Sequence, residues 1–529
     1  MIPFPRIALA LVLAAYVLPL AVPVPLMEDD EGLHAAIAVE MVERGDWTVP
    51  RLLTEPFLDK PILYFWMQAA SMTTFGPSEF SVRLPGTVMA LAGVAATGWL
   101  GWMMFGAVAG QWAGLCYATM LLPYAVSLAP LHDLVMVPLA TVAIGAFWRA
   151  SSAASTAALA RWTVVAGVAL GLSMLGKGLT GVGLVGVGMA TWLLWTRALS
   201  WRLVLAGAAA IVIGAALAWP WYAAMEQASP GYLHYFFMER HVAGVTDDTQ
   251  RHAGRPFWYY LPIVFAGAWP WLLGAWPRAR TALSDRERLL VSWFVADLVL
   301  LSLAGSKLAT YLLPALPALA LLAAHRVVAD VSAGAPRRAW LRVARAITAA
   351  VPALGLVFLW WQGPAEPSLL AGAVVLLPIG VALAPWLALG DRAGPARLVT
   401  VTAAALVALT VSVRPIVADS LTARNLAAQV NAAGRVPAHV WIVDEGVGSF
   451  VFYLDAPLRR GLVSGQVQRI SRFSTPDILR DAGDDVLAVA SDRLAGLAQI
   501  LELDGVAAPA PGAFLVLPLG RLRARAAGR

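Results

Sequence analysis

The chain has 529 residues, 60% hydrophobic and 13% charged, with a formal net charge of +6. A soluble domain carries about 25% charged residues, so a soluble enzyme is excluded and a polytopic α-helical membrane protein is expected. The lone cysteine, Cys116, excludes an intramolecular disulfide and a cysteine-based metal cluster. The basic excess reads as membrane orientation rather than nucleic-acid binding.

Residues 7–26 are long and apolar enough for a retained first span, with no clear small-residue cleavage site before the acids that follow. Next comes the most informative stretch, Glu28 to Pro61, which opens on Glu28-Asp29-Asp30-Glu31. Charge beside a bilayer costs free energy unless it is solvated, paired or used. Leu33, Ile37, Ala38, Met41 and Val42 then recur at helical spacing, which predicts an amphipathic helix lying along the interface. Trp47, Pro50, Pro56 and Pro61 end that pattern, and Asp59-Lys60 sets an acid beside a base.

Further spans are expected near 84–105, 110–128, 134–149, 162–176, 178–196, 203–222, 257–276, 289–304, 308–325, 343–361, 368–389 and 398–414, about 13 in all. Arginines concentrate in alternate connections, which are therefore cytoplasmic by the positive-inside rule. The first loop (27–83), the loop at 129–133, the long loop at 223–256 and the turns near 177, 306 and 364 fall on the opposite side. An odd number of spans places the C-terminal segment there too. This divides the chain into a membrane domain, 1–415, and a small C-terminal α/β domain, 416–529, on the extracytoplasmic side. In the latter, short apolar runs at Val440–Val443, Phe450–Leu454 and Val486–Ala490 and a last strand at Phe514–Leu517 alternate with helix-like segments. It has neither a phosphate loop nor metal-ligand spacing, so a supporting role is expected.

Arginine occurs 35 times and lysine three times. Lys60, Lys177 and Lys307 all fall on the non-cytoplasmic side near span ends, against the usual bias. Each alone reads as a snorkelling side chain; together they read as a seat for a lipid-linked phosphate, which an ammonium grips as a point charge. Tyr311, one turn after Lys307, can add a hydroxyl or simply anchor at the interface. Asp133 opens a span and is either a functional acid or a helix cap. Glu239 and His241 can share a divalent metal or form a hydrogen-bonded loop pair, and Asp247, Asp248 and His252 lie in the same loop. Trp219, Trp221, Trp269 and Trp271 read as interfacial belt residues.

Taken in order, these residues resemble the GT-C class of membrane glycosyltransferases, and within it the bacterial aminoarabinose transferases and dolichyl-phosphate-mannose protein mannosyltransferases. The resemblance rests on Asp30-Glu31, Ala35–Met41, Gly45-Asp46-Trp47, Asp59-Lys60-Pro61, Asp133, Lys177-Gly178, Glu239 with His241, Pro256-Phe-Trp-Tyr-Tyr-Leu-Pro262, Ser306-Lys307 and Tyr311-Leu-Leu-Pro314. It covers most of residues 7–325. It implies inverting transfer of a hexosyl or pentosyl group from a polyprenyl-phosphate donor to an acceptor outside the cytoplasm: lipid A, a glycan or a protein. The location implied is the bacterial inner membrane, with the site and the C-terminal domain periplasmic.

By the same resemblance, Asp30, with Glu31 and Asp133, is the catalytic group, Asp29 being the second choice for the first-loop aspartate, and Lys60, Lys177, Lys307 and Tyr311 bind the donor phosphate. Asp59 stands beside them, and Glu239 and His241 mark a candidate metal site; no soluble cofactor is required. The chain departs from the aminoarabinose transferases in having Leu33 and His34 where they carry an arginine and a tyrosine. It also has Ala243-Gly244-Val245-Thr246 where they carry an arginine. A polyprenyl-phosphate-sugar flippase is the competing class; it would show midplane charges and paired halves.

Overall fold

The computed structural model describes residues 6–243, 254–275, 282–332, 394–471, 473, 485–500 and 514–519. The expected spans at 343–361 and 368–389, and Asp247, Asp248 and His252, lie outside the described residues. Helix α1 (Arg6–Ala21) leads into the first loop. That loop is folded: α2 (Asp30–Arg44), a hairpin of β1 (Arg51–Leu52) and β2 (Glu55–Pro56), and α3 (Leu63–Phe75). There follow α4 (Glu79–Phe105), α5 (Ala107–Ala118), α6 (Leu121–Ser127), α7 (Asp133–Ser151), α8 (Thr156–Lys177), α9 (Thr180–Trp195) and α10 (Trp201–Ala228). Ser78 caps α4 reciprocally with Ser81, so this helix starts five residues before the hydropathy of its span does.

Five described helices are long and apolar enough to cross a bilayer: Glu79–Phe105, Asp133–Ser151, Thr156–Lys177, Trp201–Ala228 and Ala309–Asp330. Shorter apolar helices stand among them, including Ala8–Ala21 and Thr180–Trp195. Two expected spans are broken. The stretch 110–128 is divided between α5 and α6, and 257–276 between Tyr260–Gly267 and Leu272–Ala275. Backbone groups freed in an apolar interior must find partners, and here the breaks serve one another. Leu121 N–H donates to Trp269 O at 3.2 Å, and Trp271 Nε1 donates to Thr119 Oγ1 at 2.8 Å. Pro314 and Pro317 mark a third adjustment, where Ala309–Ala315 winds as a 3-10 turn before the α-helix Leu316–Ser332.

Two expectations are corrected by burial. Trp221 and Trp271 are interior, hydrogen-bonded residues rather than belt residues, whereas Trp219 is exposed. Helix α2 is not an interfacial helix with one wet face: residues 34–41 are all buried. Ile37 and Met41 pack with Phe65 of α3, Met174 of α8 and Trp221 of α10. Ala35, Ala38 and Val39 meet Leu26, Met72 and Val82. Ala36 enters the core of the C-terminal sheet. Burying a side chain such as Ile37 or Met41 contributes about 1.5–3 kcal/mol, so α2 is fixed from three directions.

The helix Gly394–Ser420 packs against α1 and leads to the sheet. Its strands are β3 (His439–Val443), β4 (Val467–Ile470), β5 (Asp485–Ala490) and β6 (Phe514–Pro518), in the order β4-β3-β5-β6. β3 runs parallel to β4 and β5, with Val440 opposite Val467 and Val486, and β5 pairs antiparallel with β6. The apolar run at Phe450–Leu454 is not a strand. It falls within and just after the helix Gly448–Tyr453, whose residues Phe450 and Val451 are buried against the sheet core.

Candidate active site

Helix ends meet at one place. Asp133 is the first residue of α7 and Lys177 the last of α8, both nearly buried, and their side chains form an ion pair. The Lys177 ammonium also lies over the Tyr311 ring, 4.0 Å from its centroid. A cation at a helix C-terminus and an anion at an N-terminus each suit the local backbone dipole. Gly178 ends α8 at φ 66°, in a conformation that L side chains rarely adopt.

The segment from Tyr232 to Val242, ending in a π-helical stretch, is clamped against this point from two sides. His241 Nδ1–H donates to Phe236 O at 2.7 Å, so the neutral ring leaves Nε2 to accept from Leu179 N–H at 3.1 Å. A β-carbon at Gly178 would overlap that imidazole. On the other side, Asp59 accepts from Tyr235 Oη at 2.5 Å and pairs with Arg240 at 3.2 Å. Asp59 thus ties the long loop to the first loop, and its neighbour Lys60 is carried toward Lys177. Burial holds the Lys60 ammonium below the usual lysine range, and the Lys177 charge lowers it further, against the pull of Asp133 and Asp59.

His34 joins this cluster to the start of α2. Its Nδ1–H donates to Pro130 O at 2.7 Å, and its ring packs edge-on to His132 at 4.7 Å. Burial pushes its pKa down, against the opposing pull of Asp30. Asp30 acts electrostatically on His34 from one turn away, and Lys60 and Asp133 also act on it. His132, between His34, Tyr64 and Phe65, is held well below the usual imidazole range by burial and then by the charges of His34, Lys60 and Lys177.

Asp30 itself is exposed at the first position of α2. The arrangement therefore sets a solvent-accessible carboxylate one helical turn from His34, which in turn faces the cluster of two ammonium groups and a phenol. Chemically it can take a proton from an incoming hydroxyl on one side and neutralise a phosphate on the other.

The structure does not bring every sequence candidate to this point. Glu31 is 2% exposed and fully engaged. It takes Arg83 in a two-point pair at 2.7 and 3.0 Å, Arg414 at 3.4 Å and Met27 N–H at 2.9 Å. Lys307 is buried with its ammonium donated to Ala304 O at 2.6 Å, while Arg255 holds the Lys307 carbonyl at 2.8 Å. Its place is four residues before Tyr311, beside the cluster rather than in it. Glu239 is exposed, and both His241 nitrogens are engaged by backbone, so as placed the pair does not fit a metal. Among the described residues no group of three His, Cys, Asp or Glu side chains is close enough to hold one.

Sequence reasoning passed over Arg240, Arg83, Arg414 and His132. Arg83 and Arg414 stand at span ends on the same expected side as Glu31, which was the available signal. Nothing in the spacing marks Arg240 as the partner of Asp59.

Residues 59–223 match the family model described as dolichyl-phosphate-mannose-protein mannosyltransferase. The undecaprenyl phosphate-alpha-4-amino-4-deoxy-L-arabinose arabinosyl transferase of Pseudomonas savastanoi pv. phaseolicola is 32% identical over 400 residues, 71% of each chain. The enzyme of the same name from Erwinia tasmaniensis is 29% identical over 408 residues, 69% of this chain and 73% of that one. Against the second such transferase of Proteus mirabilis the match is 31% over 307 residues, 56% of this chain and 55% of that one. The crystal structure of ArnT from Cupriavidus metallidurans bound to undecaprenyl phosphate superposes with a TM-score of 0.76 over 97% of both chains, at 22% identity, and so shares the fold.

Proposed function

We propose, from the premise that this chain belongs to the family of the bacterial undecaprenyl-phosphate-aminoarabinose arabinosyl transferases, that it moves a sugar from a polyprenyl phosphate to an acceptor at the membrane surface. The enzyme is a polyprenyl-phosphate-sugar-dependent GT-C glycosyltransferase, and its relatives support that reading over a flippase. The observation that carries the site assignment is the cluster of Lys60, Lys177, Asp133 and Tyr311 linked through His34 to Asp30.

Lys60 and Lys177 bind the donor phosphate, with Tyr311 beside them. Asp133 holds Lys177 in place until the phosphate arrives. The acceptor oxygen attacks the anomeric carbon from the face opposite the phosphate, the bond from that carbon to the phosphate oxygen breaks, and the configuration inverts. The acceptor proton passes to Asp30, and the departing negative charge stays on the lipid phosphate between the lysines. Asp59 and His241 position the long loop; no step is routed through a metal. Leu33 and His34 replace groups that the aminoarabinose transferases carry, so the sugar is held differently here. The acceptor class is lipid A, a glycan or a protein.

In this reading residues 1–415 form the membrane domain and 416–529 a periplasmic α/β domain of an inner-membrane protein. Orientation rests on arginine-rich connections lying away from the lysines.

The deciding experiment is mass spectrometry of lipid A, envelope glycans and envelope proteins from cells with and without the gene. A sugar-sized mass lost with the gene, and restored by it, identifies the acceptor. Accumulation of the polyprenyl-phosphate sugar on one membrane face, with no change in any acceptor pool, would overturn transfer in favour of transport.

The depressed Lys60 pKa gives a second test. A lysine must be protonated to hold phosphate, so kcat/KM falls as pH rises through a value below the ordinary lysine range. Phosphate binding favours the charged form, so kcat shows this limb at higher pH or not at all. Lys60→Arg, charged throughout the range, removes the limb from kcat/KM. A limb unmoved in Lys60→Arg would assign it elsewhere.

A further inference from the structure

The C-terminal unit reaches the start of α2 by main-chain contact. Ser449 N–H donates to the Glu28 carboxylate, and Glu28 N–H donates to Leu421 O at 2.8 Å. Ser449 Oγ in turn accepts from Ala423 N–H at 2.9 Å. Three glycines make the approach possible. A β-carbon on Gly448 would come within 2.6 Å of Leu33 Cα, one on Gly446 within 2.6 Å of Asp29 Oδ1, and one on Gly32 within 2.9 Å of Ser449 Cα. At Gly448 and Gly32 the contact is backbone on backbone, which leaves no flexible side chain to give way, whereas Gly446 lies against the Glu28 and Asp29 carboxylates. At the far end of the same helix, Arg459 grips Glu43 at two points, 2.7 and 3.1 Å. Asp30 is the residue at the centre of the pinned turn, between Glu28 and Gly32.

We propose that the Gly446–Ser449 turn is a positioning element of the reaction, which aims Asp30 at the acceptor oxygen by holding Glu28 and the first turn of α2. The inference rests on the proposed role of Asp30 and adds what fixes it. The sequence gives the C-terminal unit no chemistry of its own, and none is needed: the chemistry lies on α2 and the aim comes from 416 residues or more along the chain. Glu28 fits this part as a structural acceptor. It is held up to about 7, chiefly by burial, with Asp29 and Glu445 adding to the effect and Ser449 opposing it.

The test compares Gly448→Ala, Glu28→Ala and Glu28→Gln in purified full-length enzyme, with a polyprenyl-phosphate sugar as donor. A misplacement of about 1 Å costs roughly 100-fold, so Gly448→Ala and Glu28→Ala are expected to lower kcat by about that factor. The donor KM should stay within about twofold, because Lys60 and Lys177 are untouched. Glu28→Gln keeps an acceptor for the Ser449 N–H and retains most activity. Adding Asp30→Asn to Gly448→Ala should slow the enzyme no further than Asp30→Asn alone. Amide exchange in peptides covering 27–34 should rise, with peptides of α7 and α8 unchanged.

Wild-type kcat in both Gly448→Ala and Glu28→Ala would overturn the inference while leaving Asp30 in place. So would a parallel loss of kcat and donor affinity with exchange raised throughout, which marks general unfolding. An Asp30→Asn enzyme that still turns over would instead overturn the catalytic reading itself.

Discussion

Replacing Asp30 by Asn is expected to lower kcat by about 10²–10⁴, the range that positioned proton transfer contributes, with membrane expression and thermal stability unchanged. The side chain is exposed at the first position of its helix and takes part in no ion pair among the described residues, so its loss leaves no buried partner stranded. The substitution is nearly isosteric and keeps a polar group near the helix N-terminus. Donor affinity should also persist, since the proposed phosphate seat draws on α7, α8 and the Asp59-Lys60 segment rather than on Asp30. The measurement is single-turnover transfer with saturating donor, beside a binding assay for the polyprenyl phosphate alone. Transfer at the wild-type rate would remove Asp30 from the mechanism.

Replacing its neighbour Glu31 by Gln is expected to do the opposite: lose the protein before it loses the reaction. Glu31, Arg83 and Arg414 are 2%, 4% and 6% exposed. Arg83 spends its remaining donors on Val24 O and Pro25 O, and Arg414 reaches Leu128 O. Without the carboxylate, two guanidinium groups share a dry site with no counter-charge. Removing one partner of a buried pair costs about 3–5 kcal/mol, a large part of the about 5–15 kcal/mol by which folded proteins are held together. Expression level and thermal unfolding in detergent should both fall, and the surviving folded fraction should turn over normally. A stable, inactive Glu31→Gln enzyme would instead return Glu31 to the chemistry. Two adjacent acids in one sequence motif thus separate by burial, Glu31 into the fold and Asp30 into solvent, where the proposed reaction needs it.

That separation shows what could be read from the chain and what could not. Long apolar helices such as α4, α8 and α10 announce themselves by hydropathy, and the lysines stand out because arginine replaces them nearly everywhere else. Asp133 and Lys177 were each visible, but their pairing depends on two helix ends meeting, which no spacing encodes. The paired breaks at Thr119 and Trp269 were invisible because each looks like an ordinary apolar run until its partner is beside it. Helix α3 hides within the first loop because Leu63–Phe75 is too short to span and carries no polar face. Lys307 was grouped with the other lysines by residue type, yet its ammonium is donated to its own turn at Ala304. Periodicity misreads α2 for a simpler reason: the spacing of Leu33, Ile37, Ala38, Met41 and Val42 marks one apolar face, but not that His34 and Glu40 on the rest of the helix are covered as well.

The buried cluster around Glu31 also sets a timetable for synthesis. Arg83 follows Glu31 closely on the ribosome, but Arg414 lies 383 residues downstream. At about 5–20 residues per second, translation takes roughly 20–75 s to deliver it. The turn at Ser449 that meets Glu28 emerges later still. Throughout that interval the acidic start of α2 lacks two of its final partners, so an incomplete chain holds Asp30 but not the frame around it.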